Sequence, residues 1–397
     1  MKFDSSSLYN IQSDFVGVRH SLFELATWKN GLAFKKINFS ETGVPVIKIA
    51  ELNNGIGGTT SYTQQSFPED VHLHRGDLLF SWSGNPQTSI DIFRFNLEEG
   101  WLNQHIFKVT PNKNLINGDY FYFLMKNLKP HFTQIATNKQ TTGLGHITIA
   151  DIKRMNVVIP SLSEQRRIVA IIKPVDDKIE LNNRINDNLE QQAQELFSNF
   201  YERATESVPF TSIIQILGGG TPKTSESSYW NGDIPFFTPK DVGCPYTFMT
   251  EKTITEDGLN HCNSRLYPVN TIFVTARGTV GKVGLSGVPM AMNQSCYALV
   301  GKDIEQLLVY FYTLETVNSL KHKASGAVFD AITTKDFDYE RVMCLSKNDS
   351  TVFLTIVSPI FKKILSNCLE NKKLAELRDS LLPKLMSGEI DVSAIKL

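Results

Sequence analysis

The constraint that narrows the fold most is that the chain is written twice. GVPVIKIAEL (43–52) resembles GDIPFFTPKDV (232–242): each has a Gly shortly before a Pro, a β-type apolar run, and an acid six positions after the Pro. DLLFSWSGN (77–85) then matches TIFVTARGT (271–279), with Gly84 against Gly278 and Trp82 in the place of Ala276. Asn103-Gln104 is followed in the second half by Asn293-Gln294, and ITIADI (147–152) by ITTKDF (332–337). The separation stays between 185 and 194 residues, and four matches in one order identify a duplication.

Each copy opens with short β-type runs punctuated by Gly and Asn turns and closes with a helical stretch. The fold class expected is α+β with an internal pseudo-twofold repeat: two α/β globular domains separated by an antiparallel pair of long coiled-coil helices. The expected boundaries are 1–158 for the first domain, 159–204 for the first helix, 205–345 for the second domain, and 346–397 for the second helix and tail.

From Ile168 a 4,3,4,3 spacing selects Ile168, Ile172, Val175, Ile179, Asn182, Asn186, Leu189, Ala193, Leu196 and Phe200, a heptad seam with a polar centre. Shifted by 185 it selects Phe353, Val357, Ile360, Ile364, Asn367, Asn371, Leu374, Arg378, Leu381 and Leu385. An amide opposite Leu is left unsatisfied, whereas an amide opposite an amide is not, so the pairs specify register at some expense in packing. An antiparallel alignment sets Asn182 near Asn371 and Asn186 near Asn367. A parallel pair would match like with like, and surface helices would leave the amides in water. A helix from about Ser163 to Tyr201 would be about 58 Å long, with a bend expected near Pro174 and, in the second, near Pro359. Ile171, Leu181, Ile185 and Phe197 lie off the seam, so the helices carry more apolar surface than one partner helix covers; either the globular domains or other subunits cover it, other subunits being slightly favoured.

The composition, 41% hydrophobic and 20% charged over 397 residues, suits two or three globular domains. A net charge of -1 neither supports nor excludes a nucleic-acid partner, which would have to be held by local patches. The five cysteines form no CxxC pair, so neither a disulfide framework nor a metal site is expected. No uninterrupted apolar run approaches a membrane span, and a soluble, cytoplasmic protein is expected.

Local patches exist. Residues 120–150 carry Lys126, Lys129, Lys139, His131 and His146 without an acid, and Gly258 to Lys302 is likewise acid-free. The loop NKQTTGLGH (138–146) offers Lys139, Gln140, Thr141 and His146 to phosphates and base edges. Arg277, after an apolar strand and before GTVGK, is placed to read guanine, with Thr279, Lys282, Lys240 and Gln294 beside it in sequence or repeat position. In the first copy the matching candidates are Ser81, Trp82, Gln104 and His105. Trp82 either stacks on a base or caps the core, and the core is favoured. Lys35 and Lys36, and Lys223 in the second copy, lie in polar loops suited to phosphate. For each charged residue ordinary solvation is the competing reading.

Catalytic signals are missing: GTVGKV departs from a P-loop at Ala276 and Val283, and there is no HExxH, GxSxG or amino-methyltransferase motif. GGGTPKTSESSYWNGDIPFFTPKDV (218–242), ARGTVGKVG (276–284), IPSLSEQRRIVAII (159–172), KIELNNRIN (178–186) and LRDSLLPKLMSGEIDV (377–392) together resemble the DNA-specificity subunit of type I restriction-modification systems. SKNDSTVF (346–353) does not repeat PSLSEQRR, and GLAFKK replaces GGTPKT in the first copy, so the two domains are expected to read different sequences.

The resemblance implies two target-recognition domains, each bound to one half of a split, asymmetric double-stranded DNA target, with the helices as spacer. It implies a subunit without chemistry or cofactor of its own. Its expected partners are two methylation subunits using S-adenosylmethionine and, for cleavage, restriction subunits using ATP and Mg. An assembly scaffold whose domains do not read DNA is the alternative, and a self-contained methyltransferase is a third.

Overall fold

The computed structural model describes residues 8–140, 143–243, 245–323 and 331–395. The chain divides into two compact units, residues 1–178 with 374–397, and residues 179–373. Each is built from one repeat together with segments of both long helices, Leu162–Tyr201 and Lys347–Ser387. Pro174 and Pro359 both lie inside continuous helix.

In the first unit a four-stranded antiparallel sheet runs in the order Ala26–Asn30, Ile106–Pro111, Leu78–Ser81, Asp91–Arg94. The second unit repeats that order with Ile214–Gly218, Cys296–Gly301, Ile272–Thr275 and Val283–Ser286, and adds Tyr246–Thr247 at the edge. The runs LLFS and IFVT are apolar without alternation because they are buried on both faces. Leu78 and Phe80 face one core while Leu79 faces another, and Ile272 and Val274 are likewise separated from Phe273.

A second small sheet in each unit joins a parallel pair, Val44–Ile47 with Glu99–Leu102 and Trp230–Phe237 with Ala291–Met292. The acid six positions after each Pro closes the turn that follows. Glu51 accepts from Lys48 N at 3.0 Å, and Asp241 accepts from Thr238 N at 2.7 Å. The T-x-x-D repeat is a capping box in both units: Asp151 takes Thr148 N at 2.8 Å and Asp336 takes Thr333 N at 2.6 Å.

The helix segments complete the cores. Ile168, Ile172, Leu382 and Leu385 are buried with the first unit's sheet and helices, while Ala193, Phe197, Phe353, Val357, Phe361 and Ile364 are buried in the second unit. Of the two covers open to Phe197, a globular domain or another subunit, the structure supplies the first. Phe197 is 2% exposed and stacks on Phe311 at 5.1 Å, so its own domain covers it. Ile171 is also packed against its unit's core, whereas Leu181 is 49% exposed.

The second long helix holds an 18-residue window of mean hydropathy 1.5, long and apolar enough by composition to cross a membrane. Thr351, Thr355, Ser358 and the Lys362-Lys363 pair break the apolar run along that helix, which is why the sequence shows no uninterrupted run. The core of the second unit claims its Phe353, Val357, Phe361 and Ile364.

Candidate nucleic-acid interface

In the second unit the two helix segments are antiparallel and the amides meet. Asn182 Nδ2 donates to Asn371 Oδ1 at 2.8 Å and to Glu370 Oε2 at 2.9 Å, and Asn367 Nδ2 donates to Asn186 Oδ1 at 2.8 Å. Asn371 Nδ2 goes on to Asn183 Oδ1 at 2.8 Å, and Asn186 Nδ2 reaches Cys368 Sγ at 3.4 Å. Burial pushes the Cys368 thiol up to about 11, so sulfur is there as a neutral weak acceptor. Asn182 Oδ1 and Asn367 Oδ1 have no partner among the described residues, and two such orphaned acceptors favour this seam for alignment over stability. In the first unit the seam's Arg378 is accommodated by Asp176, Nη1 to Oδ1 at 3.1 Å.

Each unit builds the same junction at the open end of its main sheet. A Cβ on Gly31 would lie 2.2 Å from Asn103 O, and one on Gly219 would lie 2.2 Å from Asn293 O, so only glycine lets the chain cross the Asn-Gln turn there. The residue after the turn accepts from the end of the neighbouring strand: Trp82 N donates to His105 O at 3.3 Å, and Ala276 N to Ser295 O at 2.8 Å. A later loop closes the other side, with Ile147 N on Trp82 O at 2.8 Å and Ile332 N on Ala276 O at 2.9 Å. Ser83 therefore pairs with His146 in one unit and Arg277 with Ala331 in the other. The backbones coincide and the side chains do not.

At the first junction Gln104 and His105 are exposed and in contact, 3.3 Å between Nε2 atoms, and His146 is exposed beside Ser83. Trp82 lies on the core, its ring stacked on Phe107 at 5.8 Å and its Nε1 donating to Asn30 Oδ1 at 3.1 Å. Ser81 must be struck from the candidates, because it is fully buried in the strand opposite Ile106. Lys35 and Lys36 are exposed at a short turn, Lys35 N held by Asn38 Oδ1 at 2.7 Å. Gln140 is exposed, and Thr141 lies outside the described residues.

The acid-free stretch 120–150 is not a free basic surface. Lys139 is bonded to both oxygens of Asp151, which also accepts from Thr148 Oγ1 at 2.6 Å and Tyr9 OH at 3.0 Å. Lys126 and Lys129 meet Asp91 at 3.1 and 2.7 Å, and burial holds Lys126 below the ordinary lysine range despite that carboxylate. Asp91 lies 35 or more residues away and Asp151 just past the end of the stretch, so a count of charges within it registers neither.

At the second junction Lys240, Arg277 and Thr279 line one cleft of about 400 Å³ with Lys252, Asn293 and Ser295. Arg277 is exposed, and no ion pair to its guanidinium is found among the described residues. Lys240 is more loosely placed, 3.7 Å from Glu251. Gln294 is exposed and bonded to Thr221 Oγ1, which brings the loop that holds Lys223 toward the junction. Lys282 is exposed near Lys321, whose ammonium is lowered by burial and by that neighbour. Asn30, Ser83, Lys252 and Ser295 also lie at the junctions and are not among the residues that the sequence singles out; the repeated Asn-Gln points to the turn that carries Ser295, and nothing local points to Lys252.

A separate cluster joins Glu69, His72 and His74 on the first unit's second sheet, where no metal site was expected.

A family model described as Type I restriction modification DNA specificity domain matches residues 19–191 and again 203–377. The chain is similar to the HindI type I restriction enzyme specificity subunit of Haemophilus influenzae, 25% identical over 403 residues covering 80% of this chain and 87% of that one. A putative type I restriction enzyme MjaX specificity subunit of Methanocaldococcus jannaschii is 21% identical over 398 residues, 92% of this chain and 91% of its own. In fold the chain resembles the crystal structure of a type I restriction-modification S subunit from M. genitalium, with a TM-score of 0.52 at 15% identity over 94% of this chain and 96% of that one. Matched over both repeats, the chain belongs to the type I restriction modification DNA specificity domain family and carries that domain twice.

Proposed function

We propose that this chain is the DNA-recognition subunit of a type I restriction-modification complex, each globular domain reading one half of a split, asymmetric duplex target. The observation that carries the reading is the repeated junction: one backbone, built twice, presents Ser83 opposite His146 and, in the other copy, Arg277 opposite Ala331. Identical halves would favour identical side chains. Arg277 suits a bidentate contact to guanine O6 and N7, whereas Gln104, His105 and His146 suit a different pattern of acceptors and donors.

The helices serve as the spacer, with Asn182, Asn186, Asn367 and Asn371 fixing their register. Half-sites about one helical turn apart, ~34 to 36 Å, present their grooves on one side of the duplex. Linking two modest readers makes the second contact intramolecular, so a wrong spacing loses one half-site altogether. The exposed Leu181, Val352, Ile356 and Leu369 supply apolar surface for two methylation subunits. S-adenosylmethionine belongs to those subunits, and ATP with Mg to restriction subunits where present. This chain recognises and positions without chemistry of its own, in the cytoplasm.

The test is competition binding by the purified complex with its methylation subunits at fixed salt. A duplex carrying the cognate split sequence is expected to outcompete its scrambled counterpart by at least about 10³-fold. Equal competition overturns the reading and leaves an assembly scaffold.

A further inference from the structure

We propose that Glu69, His72 and His74 form a binding site for a first-row transition-metal ion, zinc being the ion best matched, on the edge of the first unit's second sheet. The three sit on six residues of chain. Glu69 opens the short 3-10 turn Glu69–Val71, and the strand His72–His74 follows at once. Alternation along the strand points both imidazoles to one side while Leu73 is buried on the other. The turn folds the Glu69 carboxylate back over them, and one ligand atom from each residue lies within 4.8 Å of the other two.

The separations are close to those of a ligand shell. The two Glu69 oxygens each face one imidazole, His74 Nε2 lying 3.1 Å from Oε1 and His72 Nδ1 3.5 Å from Oε2. Zinc bonded at about 2.0 to 2.1 Å in a tetrahedron holds its ligand atoms roughly 3.3 to 3.4 Å apart, so a small rotation of these side chains closes the 4.8 Å span around an ion.

The neighbours fit as well. His72 Nε2 lies 3.2 Å from Glu99 Oε2, and its ring stacks on Trp101 with centroids 4.4 Å apart. With the Nε2 hydrogen given to Glu99, Nδ1 presents a lone pair. It then faces a carboxylate oxygen across 3.5 Å, acceptor against acceptor, and a cation between them makes that contact bonding. A carboxylate behind a ligating imidazole is the arrangement that fixes the tautomer and ring of metal-bound histidines. Two imidazoles with one carboxylate select zinc and its neighbours over magnesium or calcium, which prefer all-oxygen shells.

Glu69 and His74 are exposed and His72 is partly buried, which leaves a fourth position open to water. The ion would tie the turn and an edge strand to Glu99 on the adjoining strand, bracing the sheet. The second repeat has Leu266 and Pro268 in the corresponding stretch, so the site would belong to the first domain alone.

The test uses the untagged full-length chain, stripped with chelator and titrated with zinc alone by calorimetry, with metal content measured after dialysis. One zinc per chain is expected to depend on these residues. His74→Ala and Glu69→Gln should each weaken that binding at least tenfold, and Glu99→Ala by about 10- to 100-fold, with circular dichroism unchanged because these side chains lie at the surface. Cobalt in place of zinc should show the visible bands of a tetrahedral site in the wild type and lose them in His74→Ala. No zinc uptake, or the same affinity in all four proteins, overturns the proposal; the latter result would place the ion on thiols elsewhere.

Discussion

Asn367 Nδ2 donates to Asn186 Oδ1 at 2.8 Å between antiparallel helix segments, and one turn away Asn182 Nδ2 donates to Asn371 Oδ1 at the same distance. Sliding one helix by a heptad would set Asn182 and Asn186 against Ile364 and Ile360 in one direction, and against Arg378 and Leu374 in the other. The seam thus has a register that Leu alone would leave weakly specified.

Asn367→Leu alone should lower stability by about 1 to 3 kcal/mol, because the buried Asn186 Oδ1 loses its donor. Replacing both by Leu should recover most of the loss. Urea unfolding of the four members of the cycle measures this coupling. Additive effects would mean that the two amides do not act as a pair.

Asp151 carries the second expectation. Burial would raise its carboxyl, but hydrogen bonds from Lys139, Thr148 and Tyr9 outweigh burial and hold it below the ordinary value of 3.8. A carboxyl lowered in the folded state stabilises above its unfolded value, and the contribution is lost as pH falls through the folded one. Acid unfolding below about pH 4 should therefore include this group, and Asp151→Asn should flatten that limb of the stability curve. Lys139→Ala should cost about 2 kcal/mol, the partial exposure of Lys139 limiting the loss, while leaving relative affinity among DNA sequences unchanged. Altered sequence preference in Lys139→Ala would return that lysine to the interface.

What the sequence discloses is set by range. Heptad spacing, the duplicated T-x-x-D box and the central amides are local patterns, and each maps onto a contact within a few turns or onto its copy in the other repeat. The ion pairs of Lys126, Lys129 and Lys139 are not legible, since Asp91 lies 35 or more residues from its lysines and Asp151 follows the acid-free stretch. Ser81 ends an apolar run before a polar turn, and only the strand pairing shows it facing inward. Phe197 falls off the seam by periodicity and is buried because a globular domain packs against the helix there.

Arg277→Ala is expected to weaken recognition of one half-site by about 1 to 3 kcal/mol and to relax base choice at a single position. Binding to duplexes varied one base pair at a time reads this directly. Uniform weakening across all sequences would reassign the guanidinium to phosphate.

The paired positions can also be exchanged. Ser83→Arg with His146→Ala gives the first junction the chemistry of the second, and the half-site read by the first globular domain should change while the other half stays fixed. Selection from a randomised duplex pool shows which half moves. An unchanged consensus would remove these positions from base readout.

One chain that reads two unlike half-sites at a fixed separation leaves a signature in the methylated genome. Mapping N6-methyladenine in cells that carry this chain with its methylation subunits, against cells lacking only this chain, tests for it most directly. The expected result is a bipartite motif with two different specified halves and a spacer of constant length, dependent on this chain. A continuous palindrome, a spacer of variable length, or a methylation pattern indifferent to the chain would contradict it.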